Sequence, residues 1–341
     1  ALMLTTTAAY AGGIDRSGQS IGAIFEDGKY VELSYGYVMP SVTGTDPFTT
    51  GSDNIAPDYG NVGLAFKTDL DDKVSLALII DQPFGANVSY DNAAYLIGGS
   101  GANVETTSIT AVGRYKFNEN VSVFFGPRYL SASGDYTAAQ FGTVLYTSTY
   151  ASGSGTGYVA GAAYERQDIA MRVALTYSSA IDLELDGTGA GGLGDLTATM
   201  PQSVNLEFQS GVAADTLVFG SVRWAEWSQA HITDAVFGEL VSWDDDVLTY
   251  TLGVGRKFSD KFSGAVSVGY EKELGGAVSN LSAKDGYTSI SVGGTYTLDN
   301  GIELTGGVRY IMVGDATTET IGAVFADNSA VAVGLKVAYN F

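Results

Sequence analysis

The feature that most constrains this chain is a two-residue period repeated from end to end. From Val331, every second residue is apolar: Val331, Val333, Leu335, Val337, Tyr339 and Phe341. Between them stand Ala332, Gly334, Lys336, Ala338 and Asn340, all small or polar. The same alternation runs through Val31–Tyr37, Val62–Phe66, Val74–Ile80, Ile109–Phe117, Val121–Tyr129, Tyr158–Tyr164 and Ile169–Tyr177. It resumes at Val204–Phe208, Leu217–Trp224, Leu248–Val254, Phe262–Tyr270, Ile290–Leu298 and Ile302–Tyr310. About fourteen such segments read as strands with one apolar face, and no comparable stretch has apolar residues at helical spacing.

The connections alternate in length. DLDDK (69–73), FNEN (117–120), ERQD (165–168), AAD (213–215), FSDK (258–261) and LDNG (298–301) are short and carry the Asp, Asn and Gly of tight hairpins. The others, roughly 40–57, 82–104, 131–156, 179–203, 228–246, 272–286 and 314–329, are long and rich in Gly, Ser, Thr, Asn and Asp. An even strand number with alternating short and long connections puts both chain ends on the short-turn side. That is the plan of an all-β, transmembrane, antiparallel up-and-down barrel. Aromatic residues agree: Phe66, Tyr115, Phe117, Tyr164, Phe258, Tyr296, Tyr339 and Phe341 fall near short-turn strand ends, where rings favour the lipid–water boundary.

Composition narrows the choice. No run approaches the ~18 apolar residues of a spanning helix, and only helices and closed barrels satisfy their backbone in lipid. Charged residues are 16% and cysteine is absent, which excludes disulfide frameworks and thiol-bound metals. A soluble sandwich of so many alternating strands would leave too apolar an outside. The net charge of −21 argues against a nucleic-acid partner and fits solvated loops. ALMLTTTAAYA (1–11) resembles the tail of a secretory signal, with Ala9-Tyr10-Ala11 as a small-x-small cleavage site. Residues 12–28 precede the first strand and carry Ile14, Arg16, Ile21, Ile24 and Phe25, and 29–341 form the barrel.

The stretch MPQSVNLEFQSGVAADTLVFGSVRWAEWSQ (200–229), with its Pro201-Gln202-Ser203-Val204 opening and Trp224-x-x-Trp227-Ser228 close, resembles the FadL-type outer-membrane transporters of fatty acids and other hydrophobic compounds. So do residues 17–44, 62–85 and the final AVGLKVAYNF. The resemblance implies a monomeric outer-membrane barrel with both termini periplasmic, inserted by the outer-membrane insertion machinery and in contact with outer-membrane lipid and lipopolysaccharide. It implies passive, ligand-gated uptake of long-chain fatty acids or related lipophiles, no enzymatic activity, no cofactor and no metal. It further implies an N-terminal plug, here the short segment 12–28, and a kink in strand three through which the lipophile leaves sideways. This chain departs from the family in its short plug and in lacking an Asn-Pro-Ala stretch.

Parity points Arg114, Arg128, Arg172, Arg223, Arg309 and Lys336 inward, and Arg256 toward lipid. A carboxylate ligand would use one or two of these cations as a charge-assisted clamp; the alternative is ion pairing with inward glutamates such as Glu207. The candidate ligand-binding residues are Arg128, Arg172, Arg223, Phe124, Phe25 and Phe84. Asp81, Pro83 and Gly85 are the candidate lateral gate, because proline gives a strand ladder no N–H. Apolar residues in loops 40–57 and 82–104, among them Phe48, Ile55, Tyr90 and Tyr95, suit either capture of a greasy ligand or packing over the mouth. A general diffusion porin for small polar solutes is the second reading; an adhesin or receptor barrel is a third. Gly189–Gly194 matches GxGxxG but no helix follows it. Ser228, His231 and Asp234 are neighbours in sequence only, too little for a nucleophilic triad. Asp244-Asp245-Asp246 reads as a solvated acidic tip, with a divalent cation or lipopolysaccharide bridge as the alternative.

Overall fold

In a computed structural model of the chain, residues 13–189 and 194–341 are described. The segment 1–11 and most of the Gly189–Gly194 string lie outside them. Fourteen strands among the described residues form one closed antiparallel barrel. They are β1 Tyr30–Ser41, β2 Tyr59–Asp69, β3 Val74–Asp81, β4 Gly101–Lys116, β5 Val121–Gln140, β6 Thr143–Arg166 and β7 Met171–Ser178. The rest are β8 Ser203–Ala213, β9 Thr216–Ala225, β10 Val247–Lys257, β11 Phe262–Glu271, β12 Tyr287–Thr297, β13 Ile302–Val313 and β14 Asn328–Asn340. Each pairs with its sequence neighbour, and β1 closes the ring on β14 from Tyr30↔Asn340 to Ser41↔Ser329. Closure gives every strand of the wall two neighbours, so the sheet has no terminal edge strand.

The alternation sets the two faces of the wall. Leu33, Leu64, Leu76, Leu175, Val268 and Leu335 project outward and are exposed, whereas Ala77, Ser122, Ala174, Ser267 and Ala338 point in and are buried. Two aromatic belts bound the apolar band. At the short-turn end Tyr115 meets Phe117, Phe258 stacks on Phe262 and Tyr339 on Phe341. Toward the long loops Phe125, Tyr158 and Tyr177 adjoin, as do Tyr250 and Tyr270.

The connection 131–156 is not a loop. β5 and β6 run on past the upper belt and join through the two-residue turn Phe141–Gly142, closed by the pair Gln140↔Thr143. Both turn residues have positive φ, 48° and 76°, as this hairpin geometry demands. Gly, Ser and Thr on both faces of this extension hide the two-residue period. Beside it stands a four-stranded sheet of Ile181–Leu185, Leu196–Met200, His231–Asp234 and Gly238–Ser242. A smaller sheet of Gly44–Thr45, Ala277–Val278, Ala316–Thr318 and Val324–Phe325 covers the opposite side of the mouth. Beneath it Val42, Ile55, Tyr90, Tyr95 and Phe325 form one buried cluster, while Phe48 stays exposed. Most of the greasy loop residues therefore pack over the mouth.

Candidate functional site: a broken strand, an apolar cavity and a partly filled lumen

Gly13–Gly28 lies inside the barrel. Its single turn of 3₁₀-helix, Gly22–Phe25, buries Ile21, Ile24 and Phe25 against Ala77, Val112, Phe124 and Ala174 of the wall. The polar residues of the segment reach different strands. Asp15 pairs with Arg223 at 3.1 Å, Gln19 accepts a hydrogen bond from Arg128, and Ser17 donates to Asp81 at 2.9 Å. Ser20 donates to Glu207 at 2.9 Å. Burial pushes the Asp15 carboxyl up from its ordinary range, against the pull of Arg223.

The wall is broken beside this segment. β3 pairs with β2 only from Asp69↔Ser75 to Leu64↔Ile80. Gln82-Pro83-Phe84 then interrupts the ladder, and Gly85–Ser89 resumes pairing with β4 alone. Across the break, Gln82 Oε1 accepts the Val62 N–H at 2.8 Å. The backbone groups of the broken stretch bond to the N-terminal segment: Pro83 O accepts from Arg16 N at 2.8 Å, and Gly85 N donates to Ile14 O at 2.9 Å. Buried backbone groups need partners, so the segment substitutes here for the missing part of the ladder. Gly85 permits its close approach, since a Cβ there would lie 2.6 Å from the Arg16 guanidinium.

Above the segment lies an apolar cavity of about 690 Å³, counting its mouth. Its walls include Ile14, Ala86, Val104, Leu183, Met200 and Val241. They come from the β5–β6 hairpin, the four-stranded sheet, the broken strand and the N-terminal segment. Phe84, Trp227 and Trp243 pack behind it, with Phe84 edge-on to Trp227 at 6.1 Å and Trp227 4.6 Å from Trp243. Asn103, Thr106, Ser133 and Asp135 also line it, as does Tyr150, whose hydroxyl donates to buried Asp234 at 2.8 Å. No cation lines the cavity among the described residues. A neighbouring cavity at the break, about 610 Å³ counting its mouth, shares Ile14, Ala86 and Leu281 with it and adds Asp15, Arg16 and Lys284. Burial pulls the Lys284 ammonium down from its ordinary range, against Glu271 and Asp15.

The structure distributes the sequence-derived candidates over two levels. Phe84 belongs to the aromatic backing of the apolar cavity. Arg128, Arg172 and Arg223 lie lower and meet the N-terminal segment; Arg172 stacks over Phe25 at 4.6 Å. Phe124 meets Phe25 edge-on at 5.9 Å. Asp81, Pro83 and Gly85 are all at the break, each bonded to the N-terminal segment. Asp246 accepts hydrogen bonds from Trp224 Nε1 at 3.0 Å and Ser228 Oγ at 2.6 Å. Ser228 is thus engaged away from His231, which faces Glu239 at 3.0 Å. Sequence reading missed Asp15, Trp243 and the cavity wall of Leu183, Leu185, Leu196 and Met200. The alternation in IDLEL (181–185) and LTATM (196–200) is the signal that marks those strands.

No curated protein matches the sequence. Solved structures share the fold at low identity. A Pseudomonas aeruginosa FadL homologue superposes with a TM-score of 0.75 at 13% identity, over 93% of this chain and 91% of that one. The Pseudomonas putida toluene transporter TodX gives 0.73 at 13% identity, over 99% and 97%. The Ralstonia pickettii toluene transporter TbuX gives 0.69 at 14% identity, over 94% and 91%. The profile of the family described as outer membrane protein transport protein (OMPP1/FadL/TodX) matches residues 29–341. The chain therefore belongs to the OMPP1/FadL/TodX family of outer-membrane transport proteins.

Proposed function

We propose that this barrel takes up long-chain fatty acids or related hydrophobic compounds passively, and that they leave sideways through the break beside β3. The observation that carries this reading is the apolar cavity ending on the broken strand, with Ile14 and Ala86 on its wall. A hydrocarbon gains about 0.8 kcal/mol per buried methylene there. The lumen below carries eight charged side chains, among them Glu32, Arg309 and Lys336, besides its apolar ones, so a hydrocarbon gains less there and the lower-energy exit is lateral. Toluene transporters among the structures of similar fold are in keeping with a lipophile as cargo. The start of β1 and the C-terminal residue meet at the short-turn end, where Phe341 N donates to Lys29 O at 2.9 Å, and we assign that end to the periplasm. The protein acts as a monomer, as a closed wall permits. Arg128, Arg172 and Arg223 act on cargo through the N-terminal segment they hold.

Two cargo classes fit the site. The cavity without a cation suits a neutral hydrocarbon. The adjoining cavity with Arg16 and Lys284 suits the carboxylate of a fatty acid whose tail fills the apolar one. The test is quenching of tryptophan fluorescence in the refolded barrel, titrated with palmitate and with toluene. Ala198→Phe, which fills the cavity, should weaken binding at least roughly tenfold. Lys284→Met should weaken palmitate about tenfold and leave toluene unchanged. Absence of saturable quenching by either compound would overturn the reading.

A further inference from the structure

Among the described residues, the N-terminal segment packs against one side of the lumen. Its apolar residues press on β3 to β7, where Ala77, Val112, Phe124, Val159 and Ala174 are buried. On the other side, Ser221, Thr249, Thr251, Ser267, Ser289 and Ser291 face one space from four adjacent strands, with Phe219 beside them. That space measures about 1740 Å³ counting its mouths. It runs from Glu32 and Lys336 near the short-turn end to Thr249 and Tyr287 near the long loops. Toward the short turns, the inward Glu303, Thr305 and Thr295 are only half-buried. Their parity turns them away from lipid, so their exposure is to water inside the barrel.

Toward the long loops the space reaches Tyr287. There Val38, Tyr287, Ile311, Val313 and Ala330 form a buried apolar cluster on adjacent strands of the wall. Arg309 lies over the Tyr287 ring at 5.2 Å and bonds to Ser289 at 2.9 Å. Arg16 lies over Tyr59, which packs against this cluster, at 4.2 Å. Apolar side chains at the end of a hydrated vestibule gate by dewetting.

We propose that this half of the lumen is a second conduit, for small ions and polar solutes, gated by Tyr287 and its apolar cluster and separate from the lipophile route. Its wall carries Glu26, Glu32, Asp81 and Glu207 against Arg172, Arg223, Arg309 and Lys336. With the signs balanced, the conduit discriminates little between anions and cations.

Single-channel recording of the refolded protein in a planar bilayer with potassium chloride tests this. Against the wild-type baseline, Tyr287→Ala should raise the mean current at least roughly fivefold, with a reversal potential near zero in a salt gradient. Adding Ser291→Trp, which places an indole in the hydroxyl wall, should return the current to baseline. Both variants should keep heat-modifiable migration on gels, and Tyr287→Ala, which adds no indole, should keep wild-type toluene quenching. No extra current from a folded Tyr287→Ala barrel would overturn the proposal, as would current indifferent to Ser291→Trp. Loss of quenching with the current pattern intact would instead sink the lipophile reading and leave the conduit standing.

Discussion

Tyr90 and Tyr95 stack in the cap over the mouth at 5.4 Å and 13°, yet their hydroxyls differ. Tyr90 donates to Asn280 O at 2.6 Å, tying loop to loop. The Tyr95 hydroxyl is buried with no hydrogen-bond partner among the described residues. Tyr90→Phe should therefore destabilise the cap by about 1 kcal/mol, while Tyr95→Phe should be neutral or slightly stabilising. Hydrogen exchange of the 82–104 segment reads the difference. Burial also pushes the Tyr95 phenol up from 10.0 to about 12. The folded cap holds this proton more tightly than the unfolded one. Its contribution is thus complete below pH 10 and lost as pH rises toward 12. Exchange should accelerate over that window in the wild type, and less in Tyr95→Phe. Deeper in, Asp15→Asn leaves buried Arg223 without its charge partner. The cost to docking of the N-terminal segment should be about 3 kcal/mol, seen as faster protease cleavage within residues 13–28. Of these residues, Arg223 was legible by parity. Asp15 was not, because a short irregular segment has no period to show which way a side chain points.

The broken strand is the element on which the proposed route depends. Replacing Gln82-Pro83-Phe84 by Thr-Val-Thr restores donors and β-propensity, so the ladder from β3 can extend along β2. We expect a folded barrel whose lipophile uptake into proteoliposomes falls at least roughly tenfold; undiminished uptake would place the exit elsewhere. The hairpin of β5 and β6 allows a second test. Phe141 takes a φ of 48° that suits asparagine far better than a bulky ring. Phe141→Asn should stabilise the hairpin by about 1 kcal/mol, measured by exchange of the amides of Ala138–Val144. The break was readable because proline states its backbone constraint in sequence. The hairpin extension was not, since SASGDYT (131–137) and ASGSGTG (151–157) put small residues on both faces. In the smaller cap sheet the strands have two or three residues, too short for a period, whereas IDLEL and LTATM alternate over five residues each and were readable.

At the scale of the whole molecule, strand number, closure and the sense of each wall position follow from alternation. A two-residue period in lipid admits no other arrangement. What the period leaves open is the far side of the lumen. Arg172 and Arg309 share inward parity, yet one stacks on Phe25 and the other on Tyr287. Only the path of the N-terminal segment decides which half is dry. Deleting residues 13–28 should leave a folded, heat-modifiable barrel, because the wall ladders are independent of that segment except at the break. The same deletion should remove lipophile binding, since Ile14 lies on the cavity wall.

The seam between β1 and β14 carries a further consequence, for the time the protein takes to form. Tyr30 pairs with Asn340, so this last zipper joins residues roughly three hundred positions apart, and the entropy of closing such a loop comes before any reward. Every hairpin of the wall can form locally, but the ring cannot. The slow step in assembly is then the meeting of two remote strands. Weakening a pair there, as with Leu33→Gly opposite Val337, should lengthen the refolding lag more than the same change within any hairpin.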